Sequence, residues 1–114
     1  MDIDSLYYLD MVGRIALALP QVEAYTYYAT PAFHVQKKML ARFKEDGETL
    51  VVHAEEREVW MGKDPAVFFI TDHYRNYPYV LVNLAKVKTG DLKALLEEAW
   101  KQVSVMKPSK NKKR

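Results

Sequence analysis

Residues 31–53, PAFHVQKKMLARFKEDGETLVVH, decide the fold, because apolar and polar residues alternate there with the period of two that is typical of β-strands. Between Lys38 and Lys44 the pattern predicts a strand with one buried and one exposed face. The buried face would hold Met39, Ala41 and Phe43, and the exposed face Leu40, Arg42 and Lys44. Short breaks at residues 36–38 and 45–48 predict tight turns, since Asp46-Gly47 tolerates the positive φ of a hairpin. The stretch therefore predicts an antiparallel meander with one buried face.

The flanking segments predict helices and further strands. A first helix is expected from Asp4 and Ser5, which can cap it, to Pro20, which ends it, and residues 21–28 predict an extended strand. After the meander, the pattern predicts a short helix over 54–61, strands over 67–71 and 79–84, and a long amphipathic helix that Thr89 caps. Strands joined mainly by hairpins predict an antiparallel sheet with the terminal helices on one face, an α+β fold.

Composition limits the class of protein. The 114 residues are enough for one domain, and 49% hydrophobic with 28% charged residues is ordinary for a globular chain. The absence of cysteine excludes disulfides, thiolate metal sites and a cysteine nucleophile, and makes the reducing cytoplasm the expected location. No apolar run approaches the ~20 residues of a membrane helix, and the N-terminal residues are acidic where a signal peptide is basic. We expect a soluble protein without membrane contact.

Charge is distributed unevenly along the chain. Residues 99–114 hold six of the 17 Lys and Arg and none of the 15 Asp and Glu, which leaves 11 cations against 15 acids before them. We therefore predict a folded domain over residues 1–106 and a disordered basic tail over 107–114. The tail either adds a salt-dependent attraction to phosphates or serves only as a solubilising terminus.

Several short motifs together resemble the MmcQ/YjbR-like family. They are LP at 19–20, PAFHV at 31–35, Lys38-Met39, the HY…YPYV pattern at 73–80 and LLEEAW at 95–100. The resemblance extends to about Val105 and implies a two-layer α-β(3)-α-β(2)-α arrangement, similar in outline to type III secretion chaperones. It also implies DNA binding, because members are commonly described as DNA-binding, with turn regions likened to wings. Lys37 departs from the expected pattern, since it stands in a tight turn where we expect glycine.

Two regions carry the side chains that a nucleic-acid surface needs, cations for phosphates and flat groups that stack. The loop over residues 72–78 interleaves Tyr74, Arg75 and Tyr77, which would contact the duplex as a wing. The meander supplies phosphate-binding cations at Lys37, Lys38, Arg42 and Lys44. Against this interpretation, exposed strand cations are commonly only solvated, and the acidic residues 45–48 repel phosphate. The prediction is a non-catalytic DNA-binding protein.

The alternative is a protein-interaction or self-associating domain. Trp60 and Met61 on the short helix, with Leu40 and Leu81 on the less buried sheet face, would form an exposed apolar patch, unless Trp60 fills the core.

An enzyme or metal site has weaker support in the sequence. Asp72 next to His73 could orient an imidazole, whereas His34 and His53 lie on separate predicted strands and no HExxH spacing occurs. The serines avoid strand-turn-helix elbows, and the four glycines are scattered. The acidic residues of the first helix are too widely spaced for a hard cation. No catalytic residue, metal or cofactor is predicted.

Overall fold

The computed structural model describes residues 3–105, in which three α-helices pack on one face of a six-stranded antiparallel sheet. The helices are α1 (Ile3–Ala16), α2 (Arg57–Lys63) and α3 (Thr89–Ser104). The strands are β1 (Val22–Tyr27), β2 (Thr30–Val35), β3 (Lys38–Phe43), β4 (Thr49–His53), β5 (Phe68–Phe69) and β6 (Tyr79–Asn83). They lie in the order β1-β2-β3-β4-β6-β5. The predicted α+β class is confirmed, with four strands before α2 where the family outline has three.

Element ends differ from the sequence-based bounds by up to one helical turn. Helix α1 ends at Ala16, before Pro20, and α2 begins at Arg57. The predicted caps are wrong by a residue or two, because Asp4 and Ser5 lie within the first turn of α1 and Thr89 is already the first residue of α3. The predicted basic tail, residues 107–114, lies outside the described residues.

The two faces of the sheet are distinct because side chains alternate along each strand. The inner face packs against the helices, and its core includes Phe33, Phe43, Leu50, Val82 and Leu95. The opposite, outer face is marked by one row of directly paired residues that crosses all six strands, Tyr25, Ala32, Arg42, Val51, Leu81 and Phe69. The side chains of the candidate surface are therefore placed mainly by the face of the strand they lie on or by the loop over residues 72–78.

A β-bulge at Leu40 changes the predicted alternation at the start of β3. Ala41 pairs with Phe33 whereas Met39 pairs with His34, so Leu40 is the extra residue between two paired positions. Leu40 and Ala41 are both fully buried in the inner core. The prediction that Met39 shares a face with Ala41 while Leu40 faces outward is therefore wrong, and Met39 shares the outer face with Arg42.

Two hairpins contain non-glycine residues in the left-handed region. The turn between β2 and β3 has φ of 52° at Gln36 and 67° at Lys37, and the turn between β1 and β2 has 47° at Tyr28 and 66° at Ala29. Positive φ at both central residues is typical of type I′ turns, which match the twist of the strands. Lys37 thus occupies a backbone conformation that favours glycine.

Replacing Lys37 with glycine is expected to raise the free energy of unfolding by about 0.5–1 kcal/mol. A left-handed φ costs a side-chain-bearing residue ~1 kcal/mol, and the greater freedom of glycine in the unfolded chain offsets part of the gain. Urea unfolding measures the change. The matched control is Lys38→Gly in strand β3, which should destabilise; a loss of stability in Lys37→Gly as well would contradict the prediction.

Asp46 organises the hairpin between β3 and β4. Its Oδ1 accepts hydrogen bonds from the backbone N–H groups of Glu48 and Thr49, both at 2.9 Å, and its Oδ2 accepts one from the Thr49 hydroxyl at 2.7 Å. Partial burial opposes ionisation, but these hydrogen bonds and the charge of Lys44 outweigh it and hold the pKa of Asp46 below its ordinary value.

Replacing Asp46 with asparagine is expected to lower the free energy of unfolding by about 1 kcal/mol at neutral pH, because the charge-assisted hydrogen bonds are weakened. A carboxylate whose pKa is lower in the folded state stabilises the protein above its unfolded pKa, and this contribution is lost as pH falls through the folded value. The difference in the free energy of unfolding between the unaltered chain and the variant should therefore shrink below about pH 4. Urea unfolding at several pH values tests this; a deficit that is constant with pH would contradict it.

Candidate functional site

Tyrosines and cations meet on the outer face between strand β1 and the loop over residues 72–78. We call this surface the tyrosine face and define it by Tyr25, Tyr27, Arg42, Tyr74, Tyr77 and Tyr79. The rings are arranged edge to face, with centroids 6.4 Å apart for Tyr25 and Tyr27 and 6.1 Å apart for Tyr74 and Tyr79. Alternate positions on β1 place the first pair on one face, while the loop brings in Tyr74 and Tyr77 from a distant part of the sequence.

Arg42 lies half-buried at the centre of the tyrosine face. Its Nη2 donates a hydrogen bond to the Tyr74 hydroxyl at 2.7 Å, and its Nη1 donates to the Phe43 carbonyl at 3.2 Å. The guanidinium carbon is 5.3 Å from the ring centroid of Tyr27, within cation–π range. These contacts fix a positive charge at the surface in one orientation.

Two tyrosines of this face, Tyr25 and Tyr79, have pKa values above the ordinary one. Burial raises the pKa of Tyr79 and the pKa of Tyr25 above their ordinary values, and the nearby charge of Arg42 only partly opposes this. Tyr25 and Tyr79 therefore present uncharged rings near a fixed cation at physiological pH.

Tyr74 supports this surface instead of protruding from it. Its side chain is 5% exposed and packs in a small cluster with Val51 and Leu81. Lys44, which is half-buried, places its Nζ 5.9 Å from the Tyr74 ring centroid. Two of the predicted cations, Arg42 and Lys44, therefore lie around one buried ring.

The loop over residues 72–78 exposes Arg75 and Tyr77. It begins with a turn of 3-10 helix, Asp72–Tyr74, and Arg75 Nη2 donates to Asp72 Oδ1 at 2.6 Å. Tyr77 is 54% exposed, and its ring centroid is 6.4 Å from that of His73. The carboxylate of Asp72 is thus paired with Arg75, and the predicted Asp72–His73 pairing is not formed.

Arg57, the first residue of α2, fixes the shape of this loop. Its guanidinium donates hydrogen bonds to four backbone carbonyls, those of Tyr74 (2.8 Å), Arg75 (2.7 Å), Tyr77 (2.5 Å) and Tyr79 (3.1 Å). The side chain is 13% exposed. Sequence reasoning missed Arg57; the available signal was a single basic residue within the acidic run AEERE.

A cleft of about 250 Å³ opens where the loop meets the sheet. Its lining combines residues of both parts: Tyr27, Met39, Arg42, His73, Tyr74, Tyr77 and Tyr79. Three residues predicted from sequence, Arg42, Tyr74 and Tyr77, therefore line one cleft. Lys44 lies against the Tyr74 ring, and Arg75 is exposed on the loop, where it pairs with Asp72.

The other two predicted cations lie away from the cleft. Lys37 is exposed in the type I′ turn, and its backbone N–H donates to His34 Nδ1 at 3.1 Å. Lys38 pairs with Val35, whose side chain is in the inner core, so Lys38 lies on the helix-facing side of β3. The structure does not bring Lys38 together with Arg42.

The predicted apolar patch around Trp60 is not formed. Trp60 is 8% exposed, with its ring centroid 5.2 Å from that of Phe68, while Leu40 is in the inner core and Leu81 lies in the cluster with Tyr74. A different apolar groove, of about 690 Å³, runs between α1 and β1, and its lining includes Leu9, Gly13, Leu17, Ala24 and Phe33.

The histidines are dispersed. His53 Nε2 lies 3.2 Å from Glu55, and His34 Nε2 lies 3.6 Å from Glu23, on strands β4 and β2, which β3 separates. Within residues 3–105, no group of three His, Asp or Glu side chains is placed to hold a metal ion. None of the helices in that same range has the length and apolar character needed to cross a membrane.

Comparison with known proteins gives one family and a few partial relatives. The family model described as YjbR matches residues 17–102. Proteins of Mycobacterium tuberculosis and Mycobacterium bovis, both named only as uncharacterized, are 49% identical over 40 residues, which cover 35% of this chain. The match spans about a third of these relatives, 31% of their length. No solved structure matches the chain significantly.

Proposed function

The chain belongs to the YjbR family, and from that premise we propose that it is a non-catalytic protein that binds DNA through the tyrosine face and the loop over residues 72–78. The observation that carries the proposal is that Arg42 and Lys44 both lie against Tyr74, which lines the aromatic cleft, while Arg75 is exposed on the same loop as Tyr74. Cations attract phosphates, and aromatic rings provide surfaces on which bases stack.

The charge of this surface predicts modest, salt-dependent affinity. If Arg42, Lys44 and Arg75 each contact one phosphate, the slope of log affinity against log salt is roughly −2 to −3. Acidic side chains at 45–48 follow Lys44 directly and limit the cationic surface on that side. The basic tail would add to the slope without adding specificity.

The test is the fluorescence anisotropy of labelled DNA titrated with the full chain over a salt series. Arg75→Ala should weaken binding about three- to tenfold, since it removes one phosphate contact. The matched control is Arg14→Ala: Arg14 is also an exposed arginine paired with an aspartate, Asp10, but it lies on α1. Equal affinities for Arg75→Ala and the unaltered chain would count against this surface.

A second variant separates the folded surface from the tail. Replacing the tail cations Lys107, Lys110, Lys112 and Lys113 with glutamine keeps the full chain length. If the folded surface carries the function, this variant should still bind, with a smaller salt slope. Complete loss of binding would assign the attraction to the tail.

The groove between α1 and β1 favours a second candidate function, self-association. Strand β1 is an edge strand that pairs only with β2 in the described sheet, and Leu17 beside it is 51% exposed. A second copy could extend the sheet at β1 and cover the groove. Sedimentation velocity measures this: Leu17→Glu should shift a dimer to monomer, and a monomer at all concentrations would exclude it.

A further inference from the structure

We infer that the cleft of the tyrosine face takes an unpaired base, so that the preferred ligand is single-stranded DNA and not the intact duplex. This inference rests on the proposed function and specifies its ligand. It follows from three features: the anchoring of the loop, the exposed rings on two sides of the cleft, and the small size of the cleft.

The loop over residues 72–78 is anchored both to α2 and to the outer face of the sheet. Arg57 donates to four carbonyls between Tyr74 and Tyr79, and the buried Tyr74 side chain anchors the loop above Val51. A wing that reads duplex DNA must reach into a groove, the wider of which is ≈ 8.5 Å deep. A loop pinned in this way is suited to supporting a ligand that lies on the sheet.

Exposed tyrosine rings line the cleft from the strand side and from the loop side. Tyr27 on β1 is 37% exposed and Tyr77 on the loop is 54% exposed, with the Arg42 guanidinium between the sheet and the loop. Base–aromatic stacking is available only to bases whose faces are not covered by neighbouring base pairs. Paired bases in a duplex cannot make this contact without being flipped out.

The size and charge of the cleft agree with a single base and its phosphates. At about 250 Å³ the cleft is smaller than the 300–1,000 Å³ of sites for drug-sized ligands. Within the described residues Arg42 donates to two acceptors, and a guanidinium has five N–H donors, so donors remain for a base edge or a phosphate. Lys44 lies beside the same buried ring and can contact the next phosphate.

The experiment compares three labelled ligands on the full chain by fluorescence anisotropy: an oligothymidylate of about 12 nucleotides, its duplex with oligoadenylate, and an abasic strand of equal length. We expect the oligothymidylate to bind at least tenfold more tightly than the duplex or the abasic strand. The comparison with the abasic strand holds phosphate number constant and so isolates the contribution of the bases.

Variants at Tyr77 assign the effect to the cleft. Tyr77→Ala should weaken oligothymidylate binding about tenfold and leave duplex binding within about twofold, whereas Tyr77→Phe should retain the affinity. Tyr7→Ala is the matched control, because Tyr7 is an equally accessible tyrosine, 61% exposed, on α1. Circular dichroism confirms that each variant is folded.

The outcomes separate this inference from the proposed function. Duplex binding as tight as oligothymidylate binding, or equal binding of the abasic strand, overturns the inference while DNA binding stands. Failure of all three ligands to bind overturns the proposed function together with the inference. An equal loss in Tyr77→Ala and Tyr7→Ala also overturns the inference, because it removes the cleft as the site.

Discussion

Replacing Arg57 with methionine is expected to lower the free energy of unfolding by about 3 kcal/mol, the largest effect of any single side chain in the candidate site. The guanidinium makes four charge-assisted hydrogen bonds, three to loop carbonyls and one to the Tyr79 carbonyl at the start of β6, and each is stronger than a neutral one. The Arg57 side chain is 13% exposed. Methionine fills similar space but donates nothing. Urea unfolding followed by tryptophan fluorescence measures the loss.

Two comparisons show whether the loss arises from the loop. Arg14→Met removes an exposed arginine from the surface of α1 and should leave the midpoint of urea unfolding nearly unchanged. Arg57→Lys keeps the charge but lacks the planar fork, so it should recover only part of the loss. A deficit in Arg57→Met no larger than that of Arg14→Met would show that the loop does not depend on Arg57.

The same substitution should also disturb the cleft. Tyr77 and Tyr74 reach the cleft from the loop that Arg57 holds, so Arg57→Met is expected to weaken DNA binding by about as much as Tyr77→Ala, roughly tenfold. Anisotropy is measured without urea and at a temperature well below the unfolding transition, so that loss of binding is not caused by global unfolding. Unchanged affinity would place the binding surface elsewhere.

Much of the fold follows from local patterns in the sequence. The period-two alternation of residues 31–53 and the helical spacing before and after it identify the strands and terminal helices, because each pattern reflects one buried face. The expectation of glycine at Lys37 is matched by its φ of 67°. The alternation of side chains from Ala41 onward also predicts that Arg42 lies on the face opposite to Ala41, and the structure has it there, on the outer face.

What the sequence left undetermined depends on contacts between distant residues. The bulge at Leu40 inserts one residue into β3, which no periodicity count reveals in advance, and it moves Met39 to the outer face. The contacts of Arg57 with the loop span 17 to 22 residues. Burial of Tyr74 and Trp60 depends on which elements cover them, so neither could be assigned from an aromatic residue beside polar neighbours.

These long-range contacts change how the candidate surface is interpreted. The sequence placed Tyr74, Arg75 and Tyr77 on a projecting loop and the β3 cations on a separate stripe. In the structure, Tyr74 accepts a hydrogen bond from Arg42 and lies beneath Lys44, so loop and strand form one surface. A continuous aromatic surface with fixed cations is better suited to stacking than to insertion into a groove.

Replacing Gly47 with alanine is expected to lower the free energy of unfolding by about 3 kcal/mol through two independent causes. Gly47 has a φ of +70°, which costs an alanine ~1 kcal/mol or more. An added Cβ would also lie 2.5 Å from Ser5 Oγ and 3.0 Å from Ser5 Cβ, where α1 packs on the hairpin. Urea unfolding measures the combined loss.

A double-mutant cycle separates these causes. In a Ser5→Gly background both contacting atoms are gone, so Gly47→Ala should cost only the conformational ~1 kcal/mol. Gly13→Ala is the matched control: the same added methyl meets nothing within 4 Å in the middle of α1, and should stabilise by about 0.5–1 kcal/mol through helix propensity. If Gly47→Ala cost the same with and without the Ser5 side chain, the contact between α1 and the hairpin would contribute nothing, and backbone conformation alone would explain the glycine.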